Sequence, residues 1–231
     1  MHLSRLAYQI YSIVRKAVRT TGLTKPLRGS IGATAARLVF RMSSDNNAPL
    51  VLQGHKMLLA PPGRYPSPDM VADRYEKGTT ILFKGLLKPG MVVIDVGAHV
   101  GYFTLLAARQ VGPMGKVYAF EPEPGNHVLL LKNIELNGYA NISAVRKAVC
   151  STSDPTDLFL SALDSGSHSI HPAGARGVTG TARVEATTLD AFLDGEGWPQ
   201  VDLVKIDVEG AEVAVLEGMS QLLERHRNLK L

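Results

Sequence analysis

"VVIDVGAHVG", residues 92–101, runs four β-branched residues and an acid into two glycines with three residues between them. β-Branched side chains fit a pleated, buried surface, so the front half predicts a strand over 91–97. Glycine breaks it, and "GYFTLLAARQV" predicts a helix over 101–111. Outward from this unit the alternation repeats. Strand 116–121, helix 124–137 and strand 142–149 follow, then a polar stretch rich in Ser, Gly and His. Beyond it come a strand near 182–186, a helix near 188–194, strand 201–206, helix 210–225 and the start of a strand at 228–231. Strands alternating with helices of this length mean βαβ units: an α/β, doubly wound, mostly parallel sheet.

In such a sheet, ligands sit beyond the carboxyl ends of the strands. Gly97 and Gly101 stand at the first of those ends, and the next helix points free N–H groups at the same place. At the following strand end, "VYAFEPEPG" brings Glu121 beside the crevice, where a carboxylate can accept hydrogen bonds from two ribose hydroxyls. A dinucleotide fingerprint needs a glycine two residues after Gly97, and His99 stands there. A P-loop is excluded because no Gly-Lys-Ser/Thr follows. A ligand with a ribose and no pyrophosphate fits these residues better, and S-adenosylmethionine is such a ligand. A nicotinamide-dependent oxidoreductase is the rival, weakened by the missing glycine.

Three segments, "DVGAHVGYFTLLAA", "GKVYAFEPEPGNHVLLLKNIELNG" and "VDLVKIDVEGAEVAVLEGM", resemble the FkbM family of class I S-adenosylmethionine-dependent methyltransferases in order and spacing. The resemblance runs from about Tyr75 to Leu231. It implies a Rossmann-like fold and methyl transfer to a hydroxyl of a sugar, lipid or other natural product. By the same resemblance, Asp95, Gly97, Ala98, His99 and Gly101 form the first cofactor motif, with Asp95 holding the turn and the cofactor's methionine end. Glu121 is the ribose-binding acid, and Ala148 lies where such enzymes contact the adenine. Position 99 is commonly asparagine in this motif, whereas this chain has histidine.

"LVKIDVEGAEVAVLEG" puts Asp207 and Glu209 at or just past the next strand end, on the cofactor side. A carboxylate there can align an acceptor hydroxyl and take its proton, so these two are the candidate catalytic residues. The competing reading makes Asp207 the N-cap of a helix beginning near Gly210, with Glu209 and Glu212 favouring its positive end. Lys205 is assigned no role beyond pairing with a neighbouring acid. "SALDSGSHSIHPAG", residues 161–174, reads as a loop, and His168 and His171 within it are candidate proton acceptors. No histidine–carboxylate spacing points to a metal.

The charge is divided unevenly. Residues 1–44 carry eight basic side chains and no acid, whereas the remainder carries 17 basic and 21 acidic ones. Nothing in that acidic body suggests nucleic acid as a partner. Residues 3–19 place Leu3, Leu6, Ile10, Ile13 and Val14 on one helical face and arginines on the other. That basic amphipathic helix either packs on the neighbouring domain or makes peripheral contact with an anionic membrane. Arginines interrupt its apolar run, so it does not read as a secretory signal, and no stretch is apolar for long enough to span a bilayer. One cysteine, Cys150, excludes an internal disulfide and makes the cytoplasm the default location, with the membrane surface as its extension.

The expected organisation is a basic helical extension or linker over 1–49, short strands and a proline-rich loop over 50–80, and an S-adenosylmethionine-binding methyltransferase domain over 81–231. The chain stops after Leu231 where a further strand begins. The expectation is therefore a fold lacking its carboxyl-terminal strands, with the cofactor half intact and one sheet edge open to pairing. A methyltransferase-like domain that binds the cofactor without catalysis is the alternative this raises.

Overall fold

A computed structural model describes residues 49–59, 75–161, 165–172, 174, 175 and 177–231. The amphipathic helix expected over 3–19 and most of the proline-rich stretch lie outside the described residues. The chain divides into two compact units, Met1–Lys77 and Gly78–Leu231. In the first unit, β1 (Leu50–Leu52) and β2 (His55–Met57) pair antiparallel. Gln53 and Gly54 both have positive φ (48° and 86°), which matches the right-handed twist of a two-residue hairpin. His55 therefore opens the second strand and is not part of the turn.

The second unit starts within α1 (Lys77–Leu86), which stops short of Pro89 and Gly90. Its centre is a parallel sheet of β3 (Val92–Val96), β4 (Lys116–Phe120), β5 (Ile142–Val145) and β10 (Leu203–Ile206), in the order β5-β4-β3-β10. Intervening helices are α2 (Tyr102–Val111) and α3 (Pro124–Asn137). The sheet separates two apolar layers. Ile94, Val96, Tyr118 and Phe120 face α4 (Leu189–Gly195), α5 (Glu212–Glu217) and α6 (Ser220–Arg225) through Leu189, Leu193, Val215 and Leu222. On the opposite face, Ala119 packs against Leu130 of α3. Burial on both faces explains why these strands read as continuous apolar runs. The architecture is Rossmann-like and doubly wound, as the sequence predicts.

Three stretches differ from their prediction. The strand expected over 142–149 is two: β5 stays in the main sheet, while β6 (Ala148–Val149) leaves it at the exposed Arg146 and Lys147 to pair with β9 (Ala186–Thr187). The polar stretch contains a strand the sequence did not suggest, β7 (Thr156–Ser161), antiparallel to β8 (Val178–Val184). β8 is mostly exposed, with Gly180 in its middle, so it lacks a buried alternating face. Helix 210–225 breaks into α5 and α6. Asp190 accounts for the restart, because its carboxylate accepts hydrogen bonds from the Gln221 and Leu222 N–H groups and the Ser220 hydroxyl. At the outer side of β10, Lys230 forms an isolated parallel bridge with Leu203.

Candidate active site

The turn after β3 is held from four sides. The N–H groups of Gly97 and Ala98 both donate to Phe120 O, at 3.1 and 2.8 Å. Asn133 Nδ2, wholly buried on α3, donates to Val100 O at 2.7 Å. Asp95 is fully enclosed and accepts the Thr104 hydroxyl at 2.6 Å. Gly97 has φ +78°, and a Cβ there would stand 2.0 Å from Asp207 O; at Gly101, with φ +96°, it would stand 2.7 Å from Leu130 Cδ1. The missing side chains thus make room for the end of β10 and for α3. Asp95 lies behind the turn and holds it.

His99, in the left-handed region at φ +51°, donates its N–H to Glu121 Oε2 at 2.8 Å. The Glu123 N–H donates to Glu121 Oε1 at 2.9 Å. Glu121 is only 6% exposed. Desolvation by burial pushes its carboxyl up to about 7, against the opposing pull of the Glu123 and His99 N–H groups. The Asn126 side chain adds a further hydrogen bond to this carboxylate.

Glu121 forms part of the wall of a cleft, together with Gly97, His99, Ala148, His168 and Asp207. The nine cofactor and catalytic candidates divide clearly: Gly97, His99, Glu121, Ala148 and Asp207 meet at one cavity, while Asp95 and Ala98 are buried and not part of its wall. Gly101 belongs to the start of α2. The residue set fits a nucleoside: a buried carboxylate in the cleft wall beside apolar Phe120, Ala148 and Leu158.

Asp207 is half-exposed, and its N–H continues the ladder to Val96 O. It caps no helix. α5 starts at Glu212, two residues beyond Gly210, and Ala211 at its cap position offers no side-chain hydrogen bond. Glu212 takes part of that work by accepting the Gly210 N–H at 3.1 Å. Desolvation raises the Glu212 carboxyl, but hydrogen bonds from the N–H groups of Glu212, Gly210 and Val208 outweigh it and the net shift is downward. Glu209, at φ +51°, is not part of the cleft wall, and its carbonyl accepts the Ser169 hydroxyl at 2.8 Å.

The loop after β7 roofs the cleft. Ser165 Oγ lies 2.9 Å from His99 Nε2, and Ser165 O accepts Asn126 Nδ2 at 2.8 Å. His168 Nδ1 accepts the Ser161 N–H at 2.9 Å. His171 is not part of the wall. Asn126 and Ser165 were not legible as site residues. The one signal for Asn126 was a polar residue where the first turn of α3 must bury a side chain. Among the described residues, no group of three His, Cys, Asp or Glu side chains is arranged to hold a metal ion.

The model of the methyltransferase FkbM domain matches residues 95–228, from the buried Asp95 to the end of α6 and slightly beyond. The chain belongs to the FkbM methyltransferase family. The cofactor of that family is S-adenosylmethionine. Methyltransferase sdnD of Sordaria araneosa is 26% identical over 157 residues, covering 56% of this chain and 60% of that protein. Methyltransferase 1 of Beauveria bassiana is 31% identical over 148 residues, with coverages of 55% and 57%. The hexuronic acid methyltransferase AglP of Haloferax volcanii is 25% identical over 134 residues, with coverages of 58% and 52%. The matched part of this FkbM chain thus spans between half and three-fifths of the length of these relatives.

Proposed function

We propose that this chain binds S-adenosylmethionine in the cleft at the β3–β4 strand ends and methylates a hydroxyl of a sugar or related small molecule. The observation that carries the reading is Glu121, a buried carboxylate in the cleft wall with both oxygens oriented by backbone N–H groups. When bound, the cofactor supplies a methyl group on a sulfonium centre. Glu121 would accept the two ribose hydroxyls, while Ala148, Phe120 and Leu158 offer an apolar wall to the adenine. Asp207 is the acceptor-side carboxylate: it lines the cleft and stays half-exposed, so an acceptor hydroxyl can donate to it and be aligned by it. Glu209 is set aside because it is not part of that wall. A sugar acceptor is supported by the hexuronic acid methyltransferase among the relatives.

A dinucleotide ligand is disfavoured on one further ground. The position its fingerprint reserves for glycine carries the His99 imidazole, hydrogen-bonded to Ser165 across the cleft. Calorimetry with S-adenosylmethionine and with NAD tests the reading, using the wild type and Glu121→Ala. Tight binding of S-adenosylmethionine alone is expected. Loss of the charged hydrogen bonds should weaken it by roughly ten- to a hundred-fold in the variant. A preference for NAD, or an unchanged affinity in Glu121→Ala, would overturn it.

A further inference from the structure

Lys205 sits where the two halves of the site meet. β3 and β10 run in parallel register with Asp95 opposite Lys205, and both side chains face α2. Lys205 Nζ stands 3.1 Å from Asp95 Oδ1 and 3.6 Å from Asp207 Oδ2. It donates to Gly97 O at 3.4 Å and lies 5.1 Å from the centre of the Phe103 ring. The side chain is 11% exposed, against 45% for Asp207. Oδ1 of Asp95 accepts no hydrogen bond of good angle, so its charge is balanced by the nearness of the ammonium.

If the ammonium only neutralised Asp95, it would have no need to reach the cleft wall. It does reach it: Gly97 and Asp207 both line the cavity. The carbonyl of Gly97 belongs to the turn that meets the cofactor, and the carboxylate of Asp207 belongs to the acceptor side. A cation shared by three oxygens on two strand ends fixes those oxygens relative to one another, since moving any one of them loses a charge-assisted contact.

We propose that Lys205 is a positioning residue of the cofactor site: it ties the β3 turn to Asp207 and so sets where the amino-acid end of the cofactor lies relative to the acceptor. The proposal rests on the S-adenosylmethionine reading above. It predicts a split along the cofactor. The nucleoside end is held by Glu121 and by the apolar wall. The amino-acid end depends on the turn that Lys205 holds.

The test is calorimetry on the full chain with two ligands, S-adenosylmethionine and 5′-methylthioadenosine, which has the same nucleoside but no amino-acid end. Lys205→Met should weaken S-adenosylmethionine by about tenfold or more, the scale of a lost charged hydrogen bond, and leave 5′-methylthioadenosine within roughly twofold. Removing the cation leaves Asp95 buried without its partner, so the variant can lose its fold. The double variant Asp95→Asn/Lys205→Met removes that buried charge too and should show the same split. Equal weakening of both ligands, no weakening of either, or a double variant that does not fold would each overturn the proposal, since Lys205 would then serve the fold alone or nothing. Wild-type chain that binds neither ligand would overturn the cofactor reading, and this inference with it.

Discussion

The turn after β3 and the segment after β10 face the same cleft, but they are held differently. The first is fixed by backbone and by fully buried side chains: backbone N–H groups on Phe120 O, a side-chain amide on Val100 O, an enclosed carboxylate, and glycines whose missing Cβ atoms admit neighbouring chain. The second is held by side chains. Lys205 reaches Asp207, Ser169 reaches Glu209 O, and α5 begins without a side-chain cap. A turn whose geometry admits few residue types leaves a mark in the sequence. A surface assembled from side chains of separate loops leaves far less, because many combinations of residues would build it. On the function proposed above, binding the cofactor belongs to the constrained side, and choosing the acceptor to the looser one.

The contrast breaks most sharply at Gly97. A methyl group there meets Asp207 O at 2.0 Å and adopts φ +78°. Strain and overpacking each cost about 1–3 kcal/mol, so Gly97→Ala should lose roughly 3 kcal/mol or more of stability. The denaturant midpoint should fall accordingly, and cofactor binding with it. A fully stable Gly97→Ala chain would mean that the turn after β3 is no more constrained than the segment after β10.

The same asymmetry decided what was legible before the structure. Helix 124–137 matches α3 from end to end, because Glu123 caps it through the Asn126 N–H and Gly138 closes it in the left-handed conformation. Asp95, Gly97 and Glu121 stood at recognisable strand ends. Lys205 did not stand out, because a lysine within a strand has no distinctive spacing and its value comes from Asp95, 110 positions away in sequence and opposite it in register. Ser165 and Asn126 escaped for the same reason: their partners are set by the roof over the cleft. The break between α5 and α6 was hidden because the capping carboxylate, Asp190, comes from another helix.

Glu121 gives the next largest effect, and a sign. Its carboxyl lies at about 7 in the folded chain, against 4.5 as the ordinary value. The folded state therefore binds more protons between those pH values, so stability falls as pH rises from 4.5 and the loss is complete above about 7. At about 1.4 kcal/mol per pKa unit, the wild type should lose about 3 kcal/mol from this group across that window. Glu121→Gln should flatten that part of the profile. Ribose hydroxyls favour the ionised form, so cofactor affinity should strengthen with pH up to about 7 and then level off. A wild-type stability profile that rises over the same window would place the carboxylate in a better solvated setting than its burial implies.

The smallest effect on stability is expected on the looser side, at Asp207. Its side chain is 45% exposed and caps no helix, so Asp207→Asn should change stability by no more than about 0.5 kcal/mol. Cofactor affinity should hold as well, because Lys205 keeps Asp95 and Gly97 O when the third oxygen loses its charge. Turnover should drop by at least about tenfold, since an amide cannot draw the proton of an acceptor hydroxyl as a carboxylate does. Label transfer from S-adenosylmethionine to an acceptor in cell extract measures this beside a calorimetric control. If affinity and turnover fell together, Asp207 would belong to the cofactor side and the division between the two regions would lie beyond β10. If neither fell, the acceptor would be aligned elsewhere along the cleft, with His168 in the wall as the next residue to replace.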